Sequence, residues 1–167
     1  MTEALVARQP IFDDGMRVFA YELLFRGGRE DQTAAIKGSG EAATSTVLMN
    51  WATGVGLEDL TGDRPAFVNV SRDFLAQLES VTPAPLALGL EIPREVHGEP
   101  DLVPVVQELS EADYTIILDD CHPGEVLPDM LAAADLAKLD VNKARERALE
   151  AELADLAEAG VGWVAEK

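Results

Sequence analysis

The sequence predicts an α/β fold built on a mostly parallel sheet, of the kind that closes into a (β/α) TIM-like barrel. Three observations carry that expectation. Strand-like apolar runs alternate with helical patterns along the chain. The run Tyr114 to Asp120, YTIILDD, is continuously apolar and β-branched before it meets two adjacent carboxylates, as suits a strand covered on both faces. Polar side chains also recur at strand ends: Asn69, Glu91, Asp119 with Asp120, Lys138 and Glu166 stand in or at the ends of five successive runs. In a (β/α)₈ barrel the carboxyl ends of the strands converge on one mouth, where such enzymes keep their active sites.

Taken in order, Leu5 to Ile11 and Met16 to Phe25 are extended apolar-rich runs joined by Phe12-Asp13-Asp14-Gly15. Asp-Gly between such runs predicts an opening β-hairpin. With a period of two, Glu22, Leu24 and Arg26 share one face of the second arm and Tyr21, Leu23 and Phe25 the other. A Glu and an Arg on one face suit either an ion pair inside a barrel or a ligand. Residues 27–40 are polar and glycine-punctuated, a loop before a helix over Glu41 to Thr53 striped by Val47, Leu48 and Trp51 and stopped by Gly54 and Gly56. Thr61 to Pro65 is a turn into the strand Ala66 to Val70, and Ser71 is an N-cap for a helix carrying Phe74, Leu75 and Leu78.

The run Leu86 to Ile92 is the next strand, with Glu91 near its end. Pro93 to Pro100 reads as a loop in which His97 needs no role, and Asp101 as the cap of a helix lined by Leu102, Val105, Val106 and Leu109. After the Tyr114 strand, Cys121-His122-Pro123-Gly124 connects to a helical turn or two over Glu125 to Ala134. Leu136 to Val141 is a strand with Lys138 and Asp140 on one face. Asn142 caps a helix over Lys143 to Ala159, striped by Leu149, Leu153 and Leu156 and stopped by Gly160; Val161 to Glu166 is the last strand. The expected sheet has six main strands plus the extra hairpin arm.

Composition limits what the strand-end acids can serve. At 167 residues and 47% apolar, the chain suits one globular domain spanning 1–167. With 13 Lys+Arg against 31 Asp+Glu the formal charge is −18, a field that repels nucleic-acid backbones and anionic membrane surfaces. No nucleic acid and no membrane is expected as a partner, and an anionic ligand would need a metal ion or local Lys and Arg. The lone Cys121 allows no internal disulfide, and no segment approaches the ~18 apolar residues of a membrane span, so the cytoplasm is the expected location. Adjacent Asp119 and Asp120 repel each other unless a cation or a proton lies between them, which suggests a divalent-metal site; a solvated turn with an Asp N-cap is the other reading. The oxygen-only donors suit Mg²⁺, Mn²⁺ or Ca²⁺. Cys121 beside His122 lacks the ligand spacing of a zinc site.

In order, ARQPIFD (Ala7 to Asp13), YELLFR (Tyr21 to Arg26), FVNVS (Phe67 to Ser71), LEI (Leu90 to Ile92), LDD (Leu118 to Asp120), KLD (Lys138 to Asp140) and AEK (Ala165 to Lys167) resemble the landmarks of the EAL domain, the cyclic-di-GMP phosphodiesterase of bacterial signalling. The wording of the first two blocks, and ELL in place of EAL, look most like the degenerate EAL half of EAL-HDOD proteins. The resemblance implies that Glu22, Asn69, Glu91, Asp119, Asp120 and Glu166 face Mg²⁺ or Mn²⁺. It also implies that Arg26 contacts a phosphate, that Glu22 and Lys138 are catalytic, and that two cations activate a water for in-line attack on a phosphodiester.

The departures point away from catalysis. Cys121 to Gly124 stand where active members carry a Phe-Gly-Thr-Gly type loop, and the sequence ends after the sixth strand, so the last two βα units are not seen and an incomplete barrel is expected. The resulting expectation is a degenerate, non-catalytic EAL-like module acting through cyclic-di-GMP or signalling protein partners, with weak Mg or Mn binding. Open sheet edges would favour a homo-oligomer. The alternative is a Mg/Mn-dependent cyclic-di-GMP phosphodiesterase, active only in a longer parent chain.

Overall fold

A computed structural model describes residues 5–26, 57–78, 81, 84, 87–142 and 146–166. Among them are seven strands, hydrogen-bonded in sequence order: β1 (Leu5–Phe12), β2 (Val18–Arg26), β3 (Ala66–Asn69), β4 (Leu88–Ile92), β5 (Thr115–Leu118), β6 (Leu136–Asp140) and β7 (Gly162–Glu166). The described helices are α1 (Leu57–Thr61), α2 (Arg72–Ala76), α3 (Val103–Glu111), α4 (Pro128–Ala132) and α5 (Glu146–Ala159). The six expected strands and the hairpin arm are therefore all present. The helix expected over Glu41 to Thr53 lies outside the described residues. No described helix is long and apolar enough to cross a membrane.

The chain divides into two compact units, the first comprising Met1–Val70 with Pro85–Gly89 and the second Ser71–Ala84 with Leu90–Lys167. In the first, β1 and β2 form the expected antiparallel hairpin, paired from Leu5↔Arg26 to Phe12↔Val18 with an irregularity between Ile11 and Phe12. The turn differs from a simple Asp-Gly reversal. The Asp13 amide donates to the Arg17 carbonyl (2.9 Å), and Met16 takes the left-handed conformation at φ 60°. Asp13 fixes this turn by accepting from the Arg17 amide (2.9 Å), the contact that most lowers its carboxyl below the usual carboxylate range. β2 then runs parallel to β3, from Tyr21↔Ala66 to Leu23↔Val68, and Ala20, Leu23, Phe67 and Val68 are buried.

In the second unit, the Ser71 hydroxyl accepts from the Phe74 amide (3.0 Å), the cap expected of it, and α2 buries Leu75. The α3 helix buries Val106 and Leu109, but its cap is not Asp101, which lies inside a 3₁₀ turn over Pro100–Leu102 that feeds the helix directly. A second 3₁₀ turn, Arg94–Val96, replaces the start of the expected loop. Ile116, Ile117 and Leu118 are fully buried in β5, worth about 1.5–3 kcal/mol each relative to exposure. β5 pairs parallel with β6, and β6 with β7. Helix α5 buries Leu156 and ends at Gly160, whose φ of +76° is the left-handed stop expected there. The expected cap at Asn142 borders residues outside the described set.

Candidate functional site

The strand ends fix where the polar residues stand. Asn69 closes β3, Glu91 is the penultimate residue of β4, Asp119 and Asp120 follow β5, Lys138 is central in β6, and Glu166 closes β7. In the first unit, the Asn69 amide Nδ2 donates to Glu22 Oε1 at 3.3 Å, so two of the expected residues meet across the β2–β3 pairing. Arg26 closes β2, but its side chain lies outside the described residues.

In the second unit the acids gather around an ammonium. Lys138 Nζ lies 2.9 Å from Glu91 Oε1 and 3.8 Å from both Asp119 Oδ1 and Glu166 Oε2. The Lys138 side chain is 5% exposed and that of Glu91 0%, so this pair is withdrawn from water and depends on its own geometry. Asp119 and Glu166 are part-exposed and add softer, longer contacts. Register explains the convergence: Lys138 pairs with Val164 and Asp140 with Glu166 along β6 and β7, while the Asp119 amide donates to the Ile92 carbonyl (2.9 Å) and ties the end of β5 to β4. Asp140 is buried and accepts from the Asn142 amide at 3.0 Å.

The two adjacent aspartates part company. Asp120 adopts φ 44°, and its Oδ2 lies 3.4 Å from Arg94 Nη1, whose Nη2 donates to Glu125 Oε2 at 2.7 Å. The repulsion between neighbouring carboxylates is thus relieved by two cations of the chain itself, Lys138 for Asp119 and Arg94 for Asp120. Neither aspartate caps a helix: the next turn, the 3₁₀ segment Pro123–Glu125, starts after His122 and has no side-chain cap. The contact with Glu125 chiefly, and with Asp120 next, raises the Arg94 guanidinium further above its ordinary value.

The donors are chemically right for a hard divalent cation, being all oxygen. Their arrangement is not: among the described residues no three acids, imidazoles or thiols are grouped so as to hold a metal, and Lys138 stands between the acids of the second unit.

Two residues that sequence reasoning passed over shape this region. His97, expected in a polar loop, is 2% exposed, and its Nε2 is 3.0 Å from the Ile92 carbonyl. Since a carbonyl only accepts, Nε2 carries the proton, and burial lowers the imidazole's pKa below its ordinary value, keeping it neutral. Arg94 and His97 line a cleft of about 360 Å³ with Glu95, His122 and Glu125. The one sequence signal for Arg94 was its place immediately after Pro93, just beyond a strand end. Cys121 is buried, and burial pushes its thiol up to about 12, which removes it as a nucleophile.

No protein-family model matches the chain. Among curated proteins it is 31% identical over 143 residues to the uncharacterized protein YuxH of Bacillus subtilis, covering 83% of this chain and 34% of that protein. It is 26% identical over 141 residues to the cyclic di-GMP phosphodiesterase CdgJ of Vibrio cholerae, covering 84% and 32%. The chain therefore spans about a third of the length of these relatives. Among solved structures, Klebsiella pneumoniae BlrP1 in a manganese and cyclic-di-GMP complex superposes with a TM-score of 0.68 at 19% identity, over 97% of this chain and 48% of that one. Bacillus subtilis YkuI, a protein with an EAL domain in complex with cyclic-di-GMP and calcium, superposes with a TM-score of 0.66 at 18% identity, over 97% and 47%. The fold is thus the EAL-type (β/α) TIM-like barrel in incomplete form, opening with a β-hairpin.

Proposed function

We propose that this chain is a degenerate, non-catalytic EAL-like module of bacterial cyclic-di-GMP signalling, most like the EAL half of EAL-HDOD proteins, working in the cytoplasm through ligand or protein contacts. The observation that carries the reading is Lys138, whose ammonium pairs with Glu91 at 2.9 Å and approaches Asp119 and Glu166 at 3.8 Å. A cation on those acids must displace an ammonium the protein already provides, so Mg²⁺ or Mn²⁺ binds weakly and two ions at a fixed separation are not sustained. The resemblance assigns Glu22, Asn69, Glu91, Asp119, Asp120 and Glu166 to metal, Arg26 to phosphate, and Glu22 and Lys138 to catalysis. In this reading they persist as a ligand-facing and structural set, and the module forms a homo-oligomer. Kinship with CdgJ and the likeness to cyclic-di-GMP-bound structures support the ligand class.

The second reading is a Mg/Mn-dependent cyclic-di-GMP phosphodiesterase within a longer chain; it draws on the Glu22–Asn69 hydrogen bond, which keeps two of the assigned residues together at 3.3 Å. Calorimetric titration with cyclic-di-GMP, with and without Mg²⁺, tests the proposal. It expects at most weak, Mg²⁺-dependent binding with the dinucleotide recovered intact. Tight binding accompanied by conversion to the linear dinucleotide would favour the second reading.

A further inference from the structure

Strand β7 ends the sheet order and, among the described strands, has a hydrogen-bonded neighbour on one side only, β6. Two bonds fix its parity: the Gly162 amide donates to the Asp135 carbonyl (2.9 Å), and the Glu166 carbonyl accepts from the Val141 amide (3.3 Å). Gly162, Val164 and Glu166 therefore turn their main-chain groups toward β6, and Trp163 and Ala165 turn theirs to the open edge. Both of these are exposed, Trp163 by 54%. The other terminal strand, β1, is guarded. The Tyr21 amide donates to the carbonyl of Pro65, just before β3, so Pro10, the register partner of Tyr21, has its nitrogen on the outer edge of β1, where proline offers no donor. The β7 sequence, GWVAE, carries neither proline nor lysine to block its edge.

We infer that β7 is a self-association surface, pairing antiparallel with β7 of a second copy about a two-fold axis at Val164. This rests on the reading that the module forms a homo-oligomer, and it names the surface used. In that register Trp163 lies opposite Ala165 of the second copy, so the outward main-chain groups of both residues exchange N–H···O bonds and the indole meets a methyl group. Val164 faces its own copy in a non-hydrogen-bonded pair, with Cα atoms about 4.5 Å apart. Glu166 faces Gly162, a position kept bare because a Cβ there would meet Leu136 Cδ2 at 2.8 Å. The two Glu166 residues then stand about 13 Å apart along the strand, beyond the Debye length of about 8 Å at physiological salt. In-register parallel pairing would instead set Glu166 directly against Glu166. The formal charge of −18 on each copy opposes association, so the contact is weak and tightens as salt screens it.

The test combines sedimentation equilibrium of the 167-residue chain with disulfide trapping under oxidised glutathione, using circular dichroism to check folding. The chain should dimerise reversibly, more tightly at 0.5 M NaCl than at ~0.05 M. Ala165→Pro removes an outward N–H and no bond to β6, and should weaken the dimer about tenfold or more. Val164→Cys should give a disulfide-linked dimer, since its two copies face each other within bridging distance. Trp163→Cys should give far less, because its two copies are diagonal neighbours at about 7–8 Å. The unsubstituted chain, whose Cys121 is buried, should give none. A dimer that ignores Ala165→Pro and is not trapped by Val164→Cys would place the interface elsewhere, overturning this inference while the homo-oligomer reading stands. Trapping through Trp163→Cys in preference to Val164→Cys would overturn the register. A chain that stays monomeric at high micromolar concentration in both salts would overturn the inference and the homo-oligomer reading together.

Discussion

Replacing Lys138 by Met removes the ammonium 2.9 Å from Glu91, a carboxylate whose side chain has no exposed surface and which keeps its charge. Breaking a buried pair from one side costs about 3–5 kcal/mol, because the remaining ion stays dehydrated. Asp119 and Glu166 add little, since both are part-exposed and 3.8 Å away. For a chain of this size each kcal/mol moves Tm by about 2–4 °C, so Lys138→Met should lower Tm by about 6–20 °C. The double variant Lys138→Met with Glu91→Gln removes both charges and should regain most of that loss, since replacing a buried pair outright is often close to neutral. Thermal melts followed by circular dichroism at neutral pH, with urea titrations for the free energy, measure the coupling. A loss under about 1 kcal/mol for Lys138→Met, or a double variant as unstable as the single, would refute the claim that this pair is withdrawn from water and held by its own geometry.

Three other outcomes follow from the same geometry. Millimolar Mg²⁺ or Mn²⁺ should raise Tm by a small amount, as a ligand bound only to the folded state does, and Asp119→Ala should abolish that rise; melting curves insensitive to metal would remove the cation reading. Because the His97 pKa is lowered on folding, the unfolded chain binds the proton more readily, so stability is full above about 6.5 and falls as pH drops below it. The pH slope of urea-unfolding free energy in that window should flatten in His97→Gln, and an unchanged slope would show that His97 is not the titrating group. Cys121, with its thiol pushed up to about 12, should resist iodoacetamide at pH 8 in the folded protein and react once urea unfolds it. Rapid labelling of native protein, seen by mass spectrometry, would contradict its burial.

What the sequence revealed was whatever local pattern encodes. Continuous apolar runs placed β5, Ser71 supplied a cap its own helix needs, and Gly160 ended α5 in the left-handed conformation. The positions of Glu91, Asp119 and Glu166 at or near strand ends, and of Lys138 within a strand, were legible for the same reason, since a charge in or closing an apolar run is visible without any tertiary knowledge. Their pairing was not. Lys138 meets Glu91 across 47 residues of chain, and Arg94 meets Asp120 across 26, distances at which spacing carries no information. The motif suggested a metal between two aspartates; the fold answers the same electrostatic demand with an arginine and a lysine. His97 failed to declare itself because burial came from a 3₁₀ turn and the Ile92 carbonyl, neither of which leaves an apolar periodicity. Asp101 had the composition of a cap, yet a preceding 3₁₀ turn carried the chain into α3 without one.

The central claim is that these acids no longer support phosphodiester cleavage, and incubation with cyclic-di-GMP and Mn²⁺ followed by chromatography tests it most directly. In-line attack needs both cations and the substrate placed closely, and misplacement of about 1 Å can cost ~100-fold in rate. The account predicts intact cyclic dinucleotide after prolonged incubation. Accumulation of the linear dinucleotide that disappears in Glu22→Ala, a variant that leaves the Lys138–Glu91 pair in place, would contradict it.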